Sequence, residues 1–142
     1  MPAPRPIAWL LAVTGLYVIR MGINIAHGHA HDTLAVPLAP WQTAYVWVVI
    51  VIAPTVALAW LWFRPLAAVA WGLAGLMVAS WLFGMYFHFG PLNPDHVSAQ
   101  QGPDAPLFKL TAQALLVVEP LVALSAAALA RVLARTGVVN HA

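Results

Sequence analysis

Four long apolar runs, separated by proline-marked breaks, constrain this chain more than any other feature. They cover about Ile7–His27, Trp41–Phe63, Leu66–Phe89 and Leu107–Leu133. Each is close to the ~20 residues an α-helix needs to cross the hydrocarbon of a bilayer. With 63% of residues hydrophobic and 7% charged, the chain cannot cover a water-facing surface, which ordinarily takes about 25% charged residues. Lipid is therefore its expected solvent. In lipid every backbone N–H and C=O must be satisfied internally, so apolar runs of this length become helices. The expected fold is all-α: an integral membrane four-helix antiparallel bundle, built by residues 1–142 as a single domain.

The breaks set the order of packing. Thr33–Trp41 is stiffened by Pro37 and Pro40, and Pro40 suits the first turn of the next helix. Arg64-Pro65 allows only a tight turn, so the second and third spans are expected to be neighbours. Gly90–Pro106 is a long polar loop with four prolines. Pro54 and Pro120 fall inside spans, where each should kink its helix; Pro120 also frees the carbonyl of Leu116. Gly72, Gly75, Ser80 and Gly84 offer the third span close helix contacts. The start of the chain has the layout of a signal peptide, with Arg5 before an apolar stretch at Ile7–Val18. The apolar pattern continues past Arg20 and no small-x-small site follows Val18, so a retained helix is expected.

Orientation follows from the basic residues. Arg5, Arg64, Arg131 and Arg135 fall on one side of a four-span topology, and the other side holds only Lys109. The positive-inside rule then makes both termini cytoplasmic, and in a bacterium places the opposite end at the periplasmic face of the inner membrane. Trp9, Trp41, Trp60, Trp62 and Tyr86 suit aromatic belts, whereas Trp47, Trp71 and Trp81 read as deeper packing residues. Lys109, sharing a face with Gln113, is expected to snorkel to the outer headgroups.

Polar residues are concentrated where the first run ends. Arg20, Asn24, His27 and His31 lie at i, i+4, i+7 and i+11 and share one helical face. His27 and His31 have the spacing that lets two imidazoles share a metal ion. His88 ends the third span at the same expected depth, and Asp95 and His96 follow on the proline-rich loop. A site of His27, His31 and His88, completed by Asp95 or His96, would suit Zn, Cu(II) or non-haem Fe. His29 and Asp32 are weaker members, since His29 points away from the shared face, and Gly28 can end the helix before His31. An alternative is a b-type haem held between His27 and His88, with Gly22 and Gly84 making room for the porphyrin.

Beneath the histidines lie two ionisable residues, Arg20 and Glu119, at matching depth in apolar spans. Each would cost ~2.5–3.5 kcal/mol at the bilayer centre, so a buried ion pair is expected. As a functional element the pair would supply a proton or substrate step, with Asn24 and Gln113 bridging to the histidines. The chain has no cysteine, which removes thiolate sites, disulfides and cysteine nucleophiles. It has no phosphate-binding loop, no G-x-S-x-G and no H-E-x-x-H. No basic cluster exists to grip nucleic acid. The sequence thus points to a metal-binding membrane protein with lipid as its surroundings. Two alternatives stand: a non-catalytic subunit or assembly factor of a membrane complex, and a small oligomeric transporter gated by Arg20 and Glu119.

Overall fold

The structure, a computed structural model, describes residues 6–91 and 93–139. Arg5 and His141 lie outside them. The described residues form four helices long and apolar enough to cross a membrane: α1 (Pro6–Thr33), α2 (Pro40–Phe63), α3 (Ala67–Phe89) and α4 (Ala105–Val139). Large apolar side chains such as Ile25, Phe63 and Leu124 face outward, the arrangement expected of helices solvated by lipid.

The buried faces follow from residue spacing. On α1 the buried positions are Leu10, Val13, Tyr17, Arg20, His27 and Ala30, a stripe that recurs every three or four residues and packs along α4. On α3 they are Ala70, Leu73, Ala74, Met77, Ser80 and His88, again one stripe, also against α4. Close approach on α3 falls to Ala70, Ala74 and Ser80. Gly72 and Gly75 are exposed, and an added Cβ there would meet nothing within 4 Å, which corrects their expected part in helix contact. Trp47 and Trp71 are likewise exposed rather than packed inside. At the end of the molecule away from the histidines, Pro6, Leu61, Pro65 and Leu129 border a second cavity. The start of α1, the α2–α3 turn and the latter part of α4 therefore meet there.

Both intrahelical prolines have a specific consequence. Proline lacks an N–H, so it leaves the carbonyl four residues earlier without its helical donor. Before Pro54 the chain widens into a π-helical segment, Val46–Ile52, and the Ile50 carbonyl, four residues before the proline, accepts a 2.7 Å hydrogen bond from Arg20 Nη1. Before Pro120 the orphaned carbonyl is that of Leu116, and Trp81 Nε1 donates to it at 3.2 Å. Each break is closed by a side chain from another helix.

Arg20 is fully buried and joins all four helices. Its Nη2 lies 2.9 Å from Glu119 Oε1 and donates to Ser80 Oγ at 3.0 Å. Ser80 in turn donates to Glu119 Oε1 at 2.5 Å. Asn24, with its amide oxygen turned toward the guanidinium, accepts from Nη1 at 3.1 Å. The ion pair expected from sequence is thus present, with Ile50 of α2 and Ser80 of α3 added to it. Gln113, expected to bridge this layer to the histidines, is instead exposed.

Breaking a buried pair from one side costs about 3–5 kcal/mol, because the surviving charge loses its partner. Glu119→Gln is therefore expected to destabilise the protein by about 3 kcal/mol in a denaturation titration. Adding Arg20→Met should recover part of that loss. Strictly additive effects would show that the two side chains do not depend on each other.

Candidate metal centre

α1 does not stop at Gly28; it continues to Thr33. That continuation keeps His31 one turn beyond His27 on the inward face, with His29 and Asp32 exposed on the other side. His88 arrives from the last turn of α3. The loop after it folds back: Val97 N–H donates to the His88 carbonyl at 3.0 Å, and Asp95 N–H donates to Asn93 Oδ1 at 3.2 Å. The turn tucks Asp95 inside, only 3% exposed, so an acid from the most polar loop becomes a buried one.

The result is a cluster of three imidazoles. His27, His31 and His88 each offer a ring nitrogen, and these atoms lie within 4.8 Å of one another. Phe108, fully buried at the start of α4, packs against all three rings at centroid distances of 4.8, 4.9 and 5.3 Å. It fixes their mutual tilt and excludes water from that side.

The hydrogen bonds on the outer nitrogens decide which nitrogens are free. Thr111 has one hydroxyl proton, and its own helix takes it: Leu107 O lies 2.7 Å and Phe108 O 3.0 Å from Thr111 Oγ1. The contact of His27 Nδ1 with Thr111 Oγ1, 2.9 Å, must then be donated by the imidazole. His88 Nδ1 faces the Asp95 backbone carbonyl at 3.2 Å. A carbonyl can only accept, so this nitrogen also carries the proton. Both rings are thereby Nδ1–H tautomers with the lone pair on Nε2. Yet His27 Nε2 and His88 Nε2 face each other at 3.1 Å. Two lone pairs at that separation repel unless a proton or a metal ion lies between them.

His31 completes the set. Its Nε2 lies 3.4 Å from Asp95 Oδ1, and its Nδ1 is buried with no partner. Asp95 Oδ1 is likewise buried and unpartnered, and it lies 3.5 Å from His88 Nδ1. Each of the three imidazoles therefore has an oxygen on one edge and an unspent nitrogen on the other. This is the arrangement in which outer oxygens orient metal-binding imidazoles.

Of the residues singled out by sequence, His27, His31, His88 and Asp95 come together. Asp95 faces the outer nitrogens, so its geometry is that of an orienting carboxylate rather than of the fourth ligand expected. His96 does not join them: its Nδ1 is engaged within the loop by Ser98, 2.7 Å from the hydroxyl and 3.1 Å from the backbone nitrogen. Gly22, expected to make room for a porphyrin, is exposed, and an added Cβ there would meet nothing. Thr111 and Phe108 were not singled out as members of the cluster. The signal for Thr111 was its spacing: it precedes Glu119 by the same eight residues that separate Ser80 from His88 in the reverse direction.

A cavity of about 460 Å³ runs from the histidine cluster to the Arg20 layer, bordered by His27, His31, His88 and Asp95 at one end and Asn24, Ser80 and Glu119 at the other. No protein-family model, curated protein or solved structure matches this chain.

The tautomers are directly measurable. Nitrogen-15 NMR of histidine-labelled protein in acid-washed, chelated buffer should show His27 and His88 protonated on Nδ1. Thr111→Val, which keeps the shape and removes the acceptor, should disturb His27 and leave His88 as it was. Nε2–H tautomers at both rings would remove the reason for a cation between them.

Proposed function

We propose that this chain is a metal-binding integral membrane protein whose centre is formed by His27, His31 and His88. The observation that carries this reading is the pair of Nε2 atoms facing each other at 3.1 Å, each on a ring whose Nδ1 faces an oxygen. Metal–imidazole bonds of about 2.0–2.1 Å put two ligand nitrogens about 3.3 Å apart in a tetrahedron, and somewhat closer in an octahedron. The spacing suits two ligands on one ion. Two axial ligands of a haem iron would instead lie about 4 Å apart, twice such a bond. With Gly22 facing outward as well, the geometry favours a non-haem ion.

The donor set of three neutral nitrogens suits Zn, Cu(II) or non-haem Fe. Thr111, the Asp95 carbonyl and the Asp95 carboxylate would hold the rings in their ligating tautomers, and the carboxylate would offset part of the ion's charge. In this reading the helices run antiparallel. Arg64, Arg131 and Arg135 then mark a cytoplasmic end, and the metal centre faces the outer side.

Elemental analysis of purified protein is expected to find about one transition-metal ion per chain. His27→Ala with His88→Ala should abolish it. His29→Ala and His96→Ala, which alter residues outside the cluster, should not. Protons and metal compete for the same three nitrogens, so affinity should fall as pH is lowered. Thr111→Val should weaken binding about 10–100-fold, the usual cost of losing an orienting partner. A Soret band would overturn the non-haem assignment. Absence of any metal, with a stoichiometric protein partner co-purifying, would favour the subunit reading instead.

A further inference from the structure

The cavity between the histidine cluster and the Arg20 layer has the features of a ligand site. Its volume of about 460 Å³ lies within the range of small-molecule pockets, about 300–1,000 Å³. Three helices agree on the separation of its polar ends. Arg20 to His27, Ser80 to His88 and Thr111 to Glu119 are seven or eight residues apart, or about 10–12 Å at 1.5 Å per residue. Between these ends the walls are apolar and aromatic, with Trp47, Trp81 and Phe83 among them.

The inner end offers a defined hydrogen-bonding pattern. Glu119 receives its three hydrogen bonds, two from Arg20 and one from Ser80, all on Oε1. Among the described residues, Oε2 receives none. Asn24 turns its amide oxygen to Arg20, so its NH2 group points away from the guanidinium. An acceptor with no donor and an amide on the wall of the same cavity complement a hydroxyl, which both donates and accepts. An anionic group would instead meet the Glu119 carboxylate.

The way in is lateral. Among the described residues, α1 shares no close backbone approach with the outer part of α2, Pro40–Ile52, while α1 packs along α4 and α2 against α3. Among the described residues, the side-chain hydrogen bonds between α1 and α2 lie from Arg20 and Ile50 inward, at Tyr17 with Thr55 and at Thr14 with Trp62. Gly28 of α1 and Trp47 of α2 border the cavity beside this gap, and both are exposed. In a bilayer the gap would open to lipid, so the ligand it admits is lipid-soluble.

We propose that the cavity binds a lipid-soluble phenol. Its hydroxyl lies between Glu119 Oε2 and the Asn24 amide, its ring lies among Trp47, Trp81 and Phe83, and its opposite edge faces the histidines. The proposal rests on the metal-centre reading only for what the opposite edge meets.

The test is calorimetric titration of the protein in phosphatidylcholine nanodiscs with 4-hexylphenol and with 4-hexylanisole, alongside metal analysis of the same samples. The phenol should bind, and its methyl ether should bind about tenfold or more weakly, having lost the donated hydrogen bond. Gly28→Phe places a side chain where an added Cβ meets nothing within 4 Å. It should therefore fold, and by filling the gap it should weaken the phenol about tenfold. Equal binding of phenol and ether would overturn the hydroxyl assignment. Undiminished binding in Gly28→Phe, or no binding by wild-type protein that carries metal, would overturn the cavity proposal. Phenol binding by protein without metal would support the cavity and overturn the metal reading.

Discussion

The structure depends on one buried guanidinium. Arg20 is the largest fully buried side chain, and a charge in that position is tolerable only if every donor is met. Its partners come from each helix: Asn24 from α1, the Ile50 carbonyl from α2, Ser80 from α3 and Glu119 from α4. Apolar contacts alone would specify the bundle weakly, since lipid tails are as apolar as leucine and sliding one helix costs little. Sliding any helix by one turn here would strand the guanidinium. The polar layer therefore sets the register that the apolar stripes leave open.

Register at that layer determines the second layer. Once Arg20, Ser80 and Glu119 are level, the fixed rise of a helix brings His27, His88 and Thr111 level as well, seven or eight residues further out. The imidazoles then need no long loop to position them. The Gly90–Pro106 loop contributes Asp95 instead, held by Asn93 and by the Val97–His88 backbone bond. Rigid helices carry the nitrogens and a short pinned turn carries the carboxylate. Side chains carried on helices are held more precisely than side chains carried on loops.

The share of this legible in the sequence follows from the kind of signal involved. Periodicity placed Arg20, Asn24, His27 and His31 on one face, and depth matched Arg20 to Glu119 and His27 to His88. Those relations depend only on helical rise and rotation, which sequence spacing encodes directly. Asp95 could be placed near the histidines but not on their outer edge, because the turn that buries it depends on Asn93 folding back. His96, its neighbour, faces elsewhere for the same reason. Ser80 read as a small packing residue, since a serine among glycines looks the same whether it spaces a helix or bonds a carboxylate. Phe108 gave no signal at all, because an aromatic residue at the start of an apolar helix is ordinary.

Pro54 follows the same rule as Pro120. The carbonyl freed by Pro120 was identifiable four residues upstream, and applying the rule to Pro54 identifies Ile50, the acceptor for Arg20. The two prolines thus do more than bend their helices. Each exposes one carbonyl, and in lipid that carbonyl must find a donor. One takes the guanidinium and the other the indole of Trp81. Because Arg20 fastens α1 to α2 at Ile50, the part of α2 beyond it is free to lean away from α1 toward α3. The cavity beneath the histidines lies where the two helices part.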